Sequence, residues 1–359
     1  MVNTNIEPIS ISDEEIDFFN REFNRRYNLQ KEFLPSDETR IPLVSIIVTV
    51  FNHEEYLREC LDSLLSQITS FEFEIIIGED GSNDNSRAIC IEYAEKYPNK
   101  IRLFLRDRDT SVFPFKDRKL LLNGAFTRKA IRGEYMAWCE GDDFWIDNSK
   151  LQVQFDFMER NRDCSLCFHT TKKIDENTKE EVVVRPVISE KESEAKFNAQ
   201  QILSGIRESI MTASIFMRSS VIKNLPYWVY LAPTSDTTLI FLALKQGNVG
   251  FLNKTMASYR KFSSNSWSNQ KLKSLEGYAK TIPYRLFWLD KYDEITVHTY
   301  KKQISVLKRK IIADFLMNSF VVNTTRENWE AIIKYSNLFF KIDMVTARVW
   351  RRFFLNLFC

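Results

Sequence analysis

The amino-acid sequence predicts an α/β fold in which helices flank a mostly parallel β-sheet. From residue 41 onward, short β-branched runs alternate with segments whose apolar residues recur at helical spacing. The apolar runs have no in–out alternation, which indicates a sheet that is covered on both faces. At 359 residues, 44% of them hydrophobic and 27% charged, the chain can form one large globular domain or two ordinary ones.

The first predicted element is a helical arm within residues 1–40. Ser12 and Glu15 fit a capping box, and apolar side chains follow at helical spacing from Ile16 to Tyr27. The sequence Leu-Pro-Ser-Asp at 34–37 ends this pattern. We expect the arm to pack on the main domain or on a partner.

The main domain should begin with a strand at 43–50, followed by a helix that Asn52 and Glu55 could cap. The other elements of this half are predicted from the same apolar patterns. They are strands at 71–77, 101–105 and 135–139, and helices at 84–97 and 120–131.

Acidic residues follow two of these strands. Asp80 comes after the strand at 71–77, and Asp142 and Asp143 come after the strand at 135–139. The carboxyl ends of parallel strands share one edge of the sheet, and ligands collect at that edge. We therefore expect the three carboxylates to lie together.

The second half of the domain is less regular in pattern. The polar residues 171–200 indicate a long loop or an irregular excursion, and Ser235 and Asp236 should open a helix. The other predicted segments are a helix at 149–160, a strand at 164–168, regular structure at 210–217, strands at 249–252 and 255–260, and aromatic-rich helices beyond residue 269.

The bulk properties exclude several classes of protein. The formal net charge of +2 gives no sign of a nucleic-acid partner. No apolar run approaches the ~18–20 residues that span a bilayer, and the N-terminus lacks a signal-peptide pattern. Cys164 and Cys167 could suggest zinc, but no second ligand pair follows, so we predict reduced core thiols in a cytoplasmic protein.

The most informative motif is the adjacent carboxylate pair Asp142 and Asp143. Like charges this close raise each other's pKa, and a divalent cation such as Mg²⁺ or Mn²⁺ relieves the repulsion. The sequence contains neither a glycine-rich dinucleotide turn nor a P-loop, so a metal on carboxylates is the simplest way to hold a diphosphate. The alternative is a surface turn with two solvated carboxylates.

Four segments, taken together and in this order, resemble family 2 glycosyltransferases with the GT-A fold. They are VSIIVTVFN at 44–52, GEDGSND at 78–84, GEY at 133–135 and EGDDFW at 140–145. The resemblance covers residues 41–267 and implies a GT-A-type, Rossmann-like sheet. It implies three parts, which are an N-terminal helical arm (1–40), a glycosyltransferase domain (41–268) and a C-terminal helical extension (269–359). Within the domain, 41–145 would bind the nucleotide sugar and 146–268 the acceptor.

The resemblance also implies a reaction. An inverting enzyme of this family moves a sugar from a nucleotide-diphosphate sugar, here a UDP-sugar, to a hydroxyl of a glycan or lipid-linked glycan in surface polysaccharide synthesis. The expected type is a hexosyl- or N-acetylhexosaminyl-transferase. By position, Asp143 would bind the divalent metal, Mn²⁺ or Mg²⁺, and Asp142 would bind the metal and the ribose. The other implied donor contacts are Thr49 and Phe51 at the nucleobase, Asp80 at its polar edge and Arg118 at the phosphates.

The candidate general base implied by the family is Asp236. It would take the proton of the acceptor hydroxyl on the face opposite the leaving diphosphate. The alternative is that Asp236 only favours the positive end of its helix, with Ser235 as the N-cap. His169 and Trp267 are candidate acceptor contacts. Many relatives carry a histidine two residues after the Tyr-Arg pair at 259–260, and Phe262, which cannot bind a metal, stands there in this sequence.

The expected partners are the nucleotide-sugar donor and the acceptor, without nucleic acid. The basic and aromatic tail at 345–355 predicts either peripheral contact with an anionic membrane, at its cytoplasmic face, or packing on the domain. The sequence is compatible with an oligomer. Two alternatives to the transferase stay open, a nucleotidyltransferase and a catalytically silent glycan-binding protein of the same fold.

Overall fold

The computed structural model describes residues 9–30, 32–33, 41–107, 114–115, 118–119, 122–189, 191–232, 234–261, 263 and 275–319. The chain divides into two compact units, one of residues 12–269 and one of residues 1–11 with 270–359. Helix and sheet elements of the predicted arm and of the predicted domain therefore belong to the same unit.

The elements follow in chain order. The first half of the larger unit contains α1 (Asp13–Leu29), β1 (Glu32–Phe33), β2 (Val44–Val50), α2 (Leu57–Leu65), β3 (Phe73–Glu79), α3 (Ser86–Lys96), β4 (Ile101–Leu105), β5 (Pro114–Phe115), β6 (Arg118–Lys119), α4 (Asn123–Lys129) and β7 (Tyr135–Trp138). Its second half contains β8 (Phe144–Trp145), α5 (Lys150–Arg160), β9 (Cys164–Asp175), β10 (Glu181–Val184), β11 (Glu194–Phe197), α6 (Ala199–Leu203), β12 (Phe216–Arg218), α7 (Ser235–Ala243) and β13 (Asn248–Lys261). Short 3₁₀ turns lie at Ile206–Ser209, Thr212–Ser214, Ser219–Ile222 and Tyr227–Leu231.

Eleven of the described strands form one mixed sheet. Its order is β1-β4-β3-β2-β7-β12-β9-β13-β11, with β10 beside β9 and β8 beside β13. The central strands β4, β3, β2 and β7 run parallel, as the alternation of strands and helices predicted. β12 then connects β7 to β9 by antiparallel pairing on both sides, and β9 is parallel to β13. The predicted α/β fold with a mostly parallel centre is confirmed.

The core lies around the two central strands. β3 is buried along its whole length and β2 is buried except at Thr49, so the sheet is covered on both faces. Ile46 and Ile75 of these strands and Leu61 of α2 have no exposed surface. Burial of each such side chain contributes roughly 1.5–3 kcal/mol to the stability of the fold.

Helix α1 packs on the same unit through two phenylalanines. Its predicted capping box is present, with the Glu15 N–H donating to Ser12 Oγ (3.3 Å) and Glu15 Oε2 accepting from the Ser12 N–H (2.8 Å). Phe19 and Phe23 are buried against Tyr230, at ring-centroid distances of 5.3 and 5.0 Å. β1 then pairs with β4. The arm therefore packs on the main domain.

Two predictions about the second half of the domain are wrong. Residues 171–200 are not a long loop, because β9 continues to Asp175, pairs with β10, and is followed by β11. The predicted strands at 249–252 and 255–260 are one 14-residue strand, β13. Its register against β9 shifts between Leu252 and Ala257, which interrupts the sequence pattern.

The smaller unit contains the helices α8 (Leu275–Ile295) and α9 (Lys301–Ser319). The rings of Tyr278 and Phe315 stack with centroids 6.1 Å apart, and Tyr292 is fully buried. Within the part of the chain that is described, no helix combines the length and the apolar character needed to cross a membrane. Phe262, Trp267 and the tail at 345–355 lie outside the described residues, so their predicted roles stay predictions.

Candidate functional site

Backbone hydrogen bonds draw three strand ends together. The Asp80 N–H donates to the Val50 carbonyl (3.0 Å), and the Gly141 N–H donates to the Thr49 carbonyl (3.1 Å). The segments that follow β3 and β7 therefore both meet the end of β2. This edge of the sheet carries Asp80 and the acidic pair.

Asn52 does not have the predicted role of helix cap. Helix α2 begins at Leu57, and no side chain caps it. Asn52 has a φ of 56°, a left-handed conformation in which asparagine is enriched. Its Oδ1 accepts from the Asn83 N–H (2.8 Å), and its own N–H donates to Ser82 Oγ (3.0 Å). Asn52 thus joins the loop after β2 to the loop after β3.

Asp143 is fully buried, and one of its carboxylate oxygens has no partner. Oδ1 accepts from the Arg260 N–H (2.9 Å), whereas Oδ2 makes no hydrogen bond to any residue that the structure describes. Burial raises the pKa of this carboxyl well above its ordinary value, and the charge of Asp142 adds to the increase. A bound cation would compensate the buried oxygen that now lacks a partner.

Asp142 is held by residues that come much later in the chain. Its Oδ2 accepts from Ser263 Oγ (2.6 Å), and its carbonyl accepts from Arg260 Nη1 (2.8 Å). The Arg260 guanidinium also forms ion pairs with Glu59 and with Glu176, the latter at 3.2 Å. The end of β13 therefore fixes both members of the acidic pair.

The acidic pair fits a divalent cation. The unpartnered Oδ2 of Asp143 and the carboxylate of Asp142 are hard oxygen ligands of the kind that Mg²⁺ and Mn²⁺ prefer. Across the described ranges, no group of three or more His, Cys, Asp and Glu side chains could hold a metal ion. These residues would thus supply only part of a coordination shell.

A partly buried polar cluster lies beside the acidic pair. Glu140 accepts from Thr49 Oγ1 and from Trp138 Nε1 (2.8 Å), and burial raises the pKa of Glu140 to about 7. Arg128 of α4 lies over the Trp138 ring at 5.5 Å and donates to Ser235 Oγ (3.4 Å). Burial lowers the pKa of Arg128 to about 10, so it stays charged at neutral pH. No role for Glu140 or Arg128 followed from the sequence motifs.

Asp236 lies in the first turn of α7. The predicted helix that Ser235 and Asp236 open is confirmed. Its N-cap is Thr234, which makes no side-chain cap hydrogen bond, so the alternative in which Ser235 is the N-cap is wrong. Asp236 Oδ2 accepts from Arg207 Nη2 (2.8 Å), and about a quarter of the Asp236 side chain is exposed (24%). The carboxylate is therefore both anchored and accessible.

A second buried arginine lies near Asp80. Arg106 follows β4, and it donates through Nε to Gln30 Oε1 (2.8 Å) and through Nη1 to Thr127 Oγ1 (3.1 Å). Its Nη2 has no partner among the described side chains and backbone groups. Burial lowers the pKa of Arg106 to about 10, and the charge of Asp80 opposes this decrease. Arg106 is a candidate donor contact that the sequence analysis missed.

The remaining predicted site residues are less informative. Phe51 is half-buried at the end of β2. Arg118 lies in β6, which pairs with β5, and its side chain is outside the described part of the structure. His169 is fully buried with Nδ1 2.7 Å from the Thr170 carbonyl, and burial keeps its pKa well below the ordinary value. A buried neutral imidazole does not favour the predicted acceptor contact.

Comparison with known sequences gives a family and several relatives. The sequence model of glycosyl transferase family 2 matches residues 45–225. An uncharacterized protein of Mycobacterium tuberculosis is 32% identical over 226 residues, which are 62% of this chain and 60% of that protein. An uncharacterized glycosyltransferase of Methanocaldococcus jannaschii is 29% identical over 201 residues, which are 54% of this chain and 62% of that protein. The chain spans about three fifths of the length of these relatives.

Comparison with solved structures gives the same fold. Staphylococcus aureus TarS 1–349 matches with a TM-score of 0.51 and 19% identity, over 83% of this chain and 80% of that chain. Its complex with UDP-GlcNAc matches with a TM-score of 0.54 and 18% identity, over 83% and 81%. At this level of identity the likeness concerns the fold alone. Because the family match covers half of the sequence, the chain belongs to glycosyl transferase family 2.

Proposed function

We propose that this chain transfers a sugar, with inversion, from a nucleotide-diphosphate sugar to a hydroxyl group. The observation that carries the proposal is Oδ2 of Asp143, which is buried beside Asp142 and has no partner among the described residues. Asp80 lies at the same edge of the sheet and would bind the nucleobase. Thr49 and Phe51, at the end of β2, would line the base pocket, and Arg118 would contact the phosphates.

Asp143 and Asp142 would hold the divalent metal, Mn²⁺ or Mg²⁺. When bound, the metal would stabilise the negative charge of the departing diphosphate. The protein fixes both carboxylates before any donor binds, because Arg260 holds Oδ1 of Asp143 and the Asp142 carbonyl, and Ser263 holds Oδ2 of Asp142. Such preorganisation reduces the cost of arranging charges during the reaction.

Asp236 is the proposed general base. It would accept the proton of the acceptor hydroxyl while the hydroxyl oxygen forms a bond to the anomeric carbon. The bond between that carbon and the diphosphate oxygen breaks on the opposite face, and the configuration inverts. The partial exposure of Asp236 supports this role, since an acceptor must reach the carboxylate.

The donor and acceptor classes are also proposed. TarS is described in a complex with UDP-GlcNAc, which supports a UDP-sugar of the hexose or N-acetylhexosamine type for this chain. The acceptor would be a glycan or a lipid-linked glycan of a surface polysaccharide. A cytoplasmic location, contact of the C-terminal tail with the membrane, and oligomerisation stay predictions from the sequence.

The test is a panel of nucleotide sugars assayed for transfer and hydrolysis, with and without Mn²⁺. With the best donor, Asp143→Asn should lower kcat/KM by about a hundredfold or more, because it removes charge from the proposed diphosphate site. Asp163→Asn is the matched control, because Asp163 lies directly before β9 and forms an exposed ion pair with Lys196 of β11. This change should alter kcat/KM less than about twofold. Full activity of Asp143→Asn would contradict the metal assignment.

The products distinguish the alternatives. Release of a nucleoside diphosphate with an inverted sugar supports the proposed reaction, and a retained configuration contradicts the role of Asp236. Release of pyrophosphate from a nucleoside triphosphate would favour a nucleotidyltransferase. Binding without turnover of any donor would favour a catalytically silent protein.

A further inference from the structure

Arg207 makes the most direct contact with the proposed base, although no sequence motif contains it. It lies in the 3₁₀ turn Ile206–Ser209, well after the last of the four sequence motifs, which ends at residue 145. Arg207 Nη2 donates to Asp236 Oδ2 (2.8 Å) and to the hydroxyl of the next residue, Thr237. Two neighbouring groups of α7 therefore bind one nitrogen of the guanidinium.

The guanidinium is itself fixed on its other side. Arg207 Nη1 lies 3.4 Å from the Ile210 carbonyl, to which it donates, so the turn that carries Arg207 also orients it. The side chains of Arg207 and Asp236 are 20% and 24% exposed. Solvent reaches both side chains and screens the attraction between their charges, which limits the contribution of the ion pair to stability. Its geometric effect on the carboxylate is a better reason for its presence.

The contact is selective for one carboxylate oxygen. Arg207 binds Oδ2, and no hydrogen bond from the described residues occupies Oδ1 of Asp236. A general base needs one oxygen within hydrogen-bond reach of the acceptor hydroxyl. With Oδ2 held, rotation of the carboxylate is restricted and Oδ1 is left for the substrate.

A second cation lies further from the same carboxylate. Arg128 donates to Ser235 Oγ (3.4 Å), directly before Asp236, and its charge acts on Asp236 at longer range. Arg128 is buried and already engaged with Trp138, whereas Arg207 is in contact with the carboxylate. Of these two arginines, Arg207 is therefore the one that can orient the Asp236 carboxylate.

We propose that Arg207 is a positioning residue for Asp236, which it orients through Oδ2 so that Oδ1 faces the acceptor hydroxyl. This inference rests on the proposed function, because it assumes that Asp236 is the general base. Arg207 would act on the chemical step and not on donor binding. Its loss should therefore lower kcat while KM for the donor stays nearly unchanged.

The main experiment is a double-mutant cycle in the full chain. Arg207→Ala should lower kcat about 10- to 100-fold, with the donor KM within about twofold of wild type. In an Asp236→Asn background the same change should lower kcat less than about twofold, because the group that Arg207 orients is gone. Arg160→Ala, which removes an exposed ion pair with Glu194, is the control and should leave kcat unchanged.

Chemical rescue separates orientation from folding. Guanidinium ion at tens of millimolar should restore kcat of Arg207→Ala at least about fivefold, whereas tetramethylammonium, which has no N–H donors, should not. Arg207→Lys should keep more activity than Arg207→Ala, since it keeps the charge but loses the planar fork.

The outcomes separate this inference from the proposed function. If Asp236→Asn keeps wild-type activity, the assignment of Asp236 as the general base is wrong, and so is the positioning role of Arg207. If Asp236→Asn is inactive but Arg207→Ala keeps the wild-type kcat, only the positioning role is wrong. An equal loss from Arg207→Ala in both backgrounds, without rescue, would also overturn the positioning role.

Discussion

The two oxygens of the Asp143 carboxylate have different surroundings. The backbone N–H of Arg260 fixes Oδ1, while Oδ2 is buried without a partner in the described residues. A carboxylate held in this way can bind a ligand through Oδ2. Asp142 is similarly restricted, because Ser263 occupies its Oδ2. The strand-end position of the pair followed from the sequence, but this division of the oxygens did not.

Lys150 gives a prediction about pH at the scale of one residue. It is fully buried at the start of α5, its Nζ donates to Gln154 Oε1 (2.7 Å), and Nζ lies 3.9 Å from the centroid of the Trp145 ring. Burial lowers its pKa from 10.5 to about 7, against the opposing effect of the thiols of Cys139 and Cys167. The folded protein therefore holds this amine with little or no charge above neutral pH.

The sign of the effect on stability follows from proton binding. Between pH 7 and 10.5 the unfolded chain binds the Lys150 proton and the folded protein does not, so the free energy of unfolding rises with pH. Lys150→Met, a change of similar volume, should remove this term. The stability of wild type relative to Lys150→Met should rise by ~1 kcal/mol per pH unit from about pH 7.5 to 9.5. Urea unfolding of both proteins at three pH values measures this difference in the free energy of unfolding. A difference that does not change with pH would contradict the lowered pKa of Lys150.

At the scale of elements, the arm offers a matched pair of substitutions. Phe23 of α1 is 6% exposed and has ring contacts with Phe126 and Tyr230, both at 5.0 Å, whereas Phe18 in the same helix is 52% exposed. Phe23→Ala should lower the free energy of unfolding by about 3–5 kcal/mol, because it leaves a cavity between α1 and the domain.

Phe18→Ala is the control for that change. It removes the same side chain from the same helix, but it should lower the free energy of unfolding by less than about 1 kcal/mol. Urea unfolding of both variants at one pH gives the comparison. Equal losses would indicate that α1 does not depend on the Phe23 contact.

The success of the sequence prediction differed between elements for a physical reason. β2 and β3 are buried on both faces, so their apolar, β-branched runs identify them without reference to the rest of the chain. β10 is mostly exposed and pairs only with β9 in the described sheet, so its polar surroundings resemble a loop. β13 was divided in two because its register shift breaks the pattern.

The residues of the candidate site also differ in how well the sequence predicts them. Asp80, Asp142 and Asp143 follow strands that the sequence predicts, and the parallel pairing of these strands with β2 brings their ends together. Arg207 and Arg106 lie outside any motif, and their contacts join segments that are 29 and 76 residues apart in the chain. Hydrogen bonds between such distant residues depend on how the elements pack together. The periodicity of apolar residues in the sequence does not predict them.

At the scale of the whole molecule, the described contacts of the candidate site fall within one compact unit. The earliest is Gln30 with Arg106 and the latest is Ser263 with Asp142, and the unit covers residues 12–269. The acidic pair, the proposed base, Arg106 and Arg207 thus all lie in this unit. Such a unit, with its own buried sheet, should fold and bind the donor nucleotide without the remainder of the chain.

A chain shortened to residues 12–269 tests this expectation. It should unfold in a single cooperative urea transition and bind UDP in the presence of Mn²⁺ with a Kd within about threefold of the full chain, because none of the described site contacts is lost. Isothermal titration calorimetry measures the affinity, and Asp143→Asn in the same shortened chain controls for binding elsewhere. If the full chain binds UDP and the shortened chain, although cooperatively folded, does not, then residues outside 12–269 form part of the donor site.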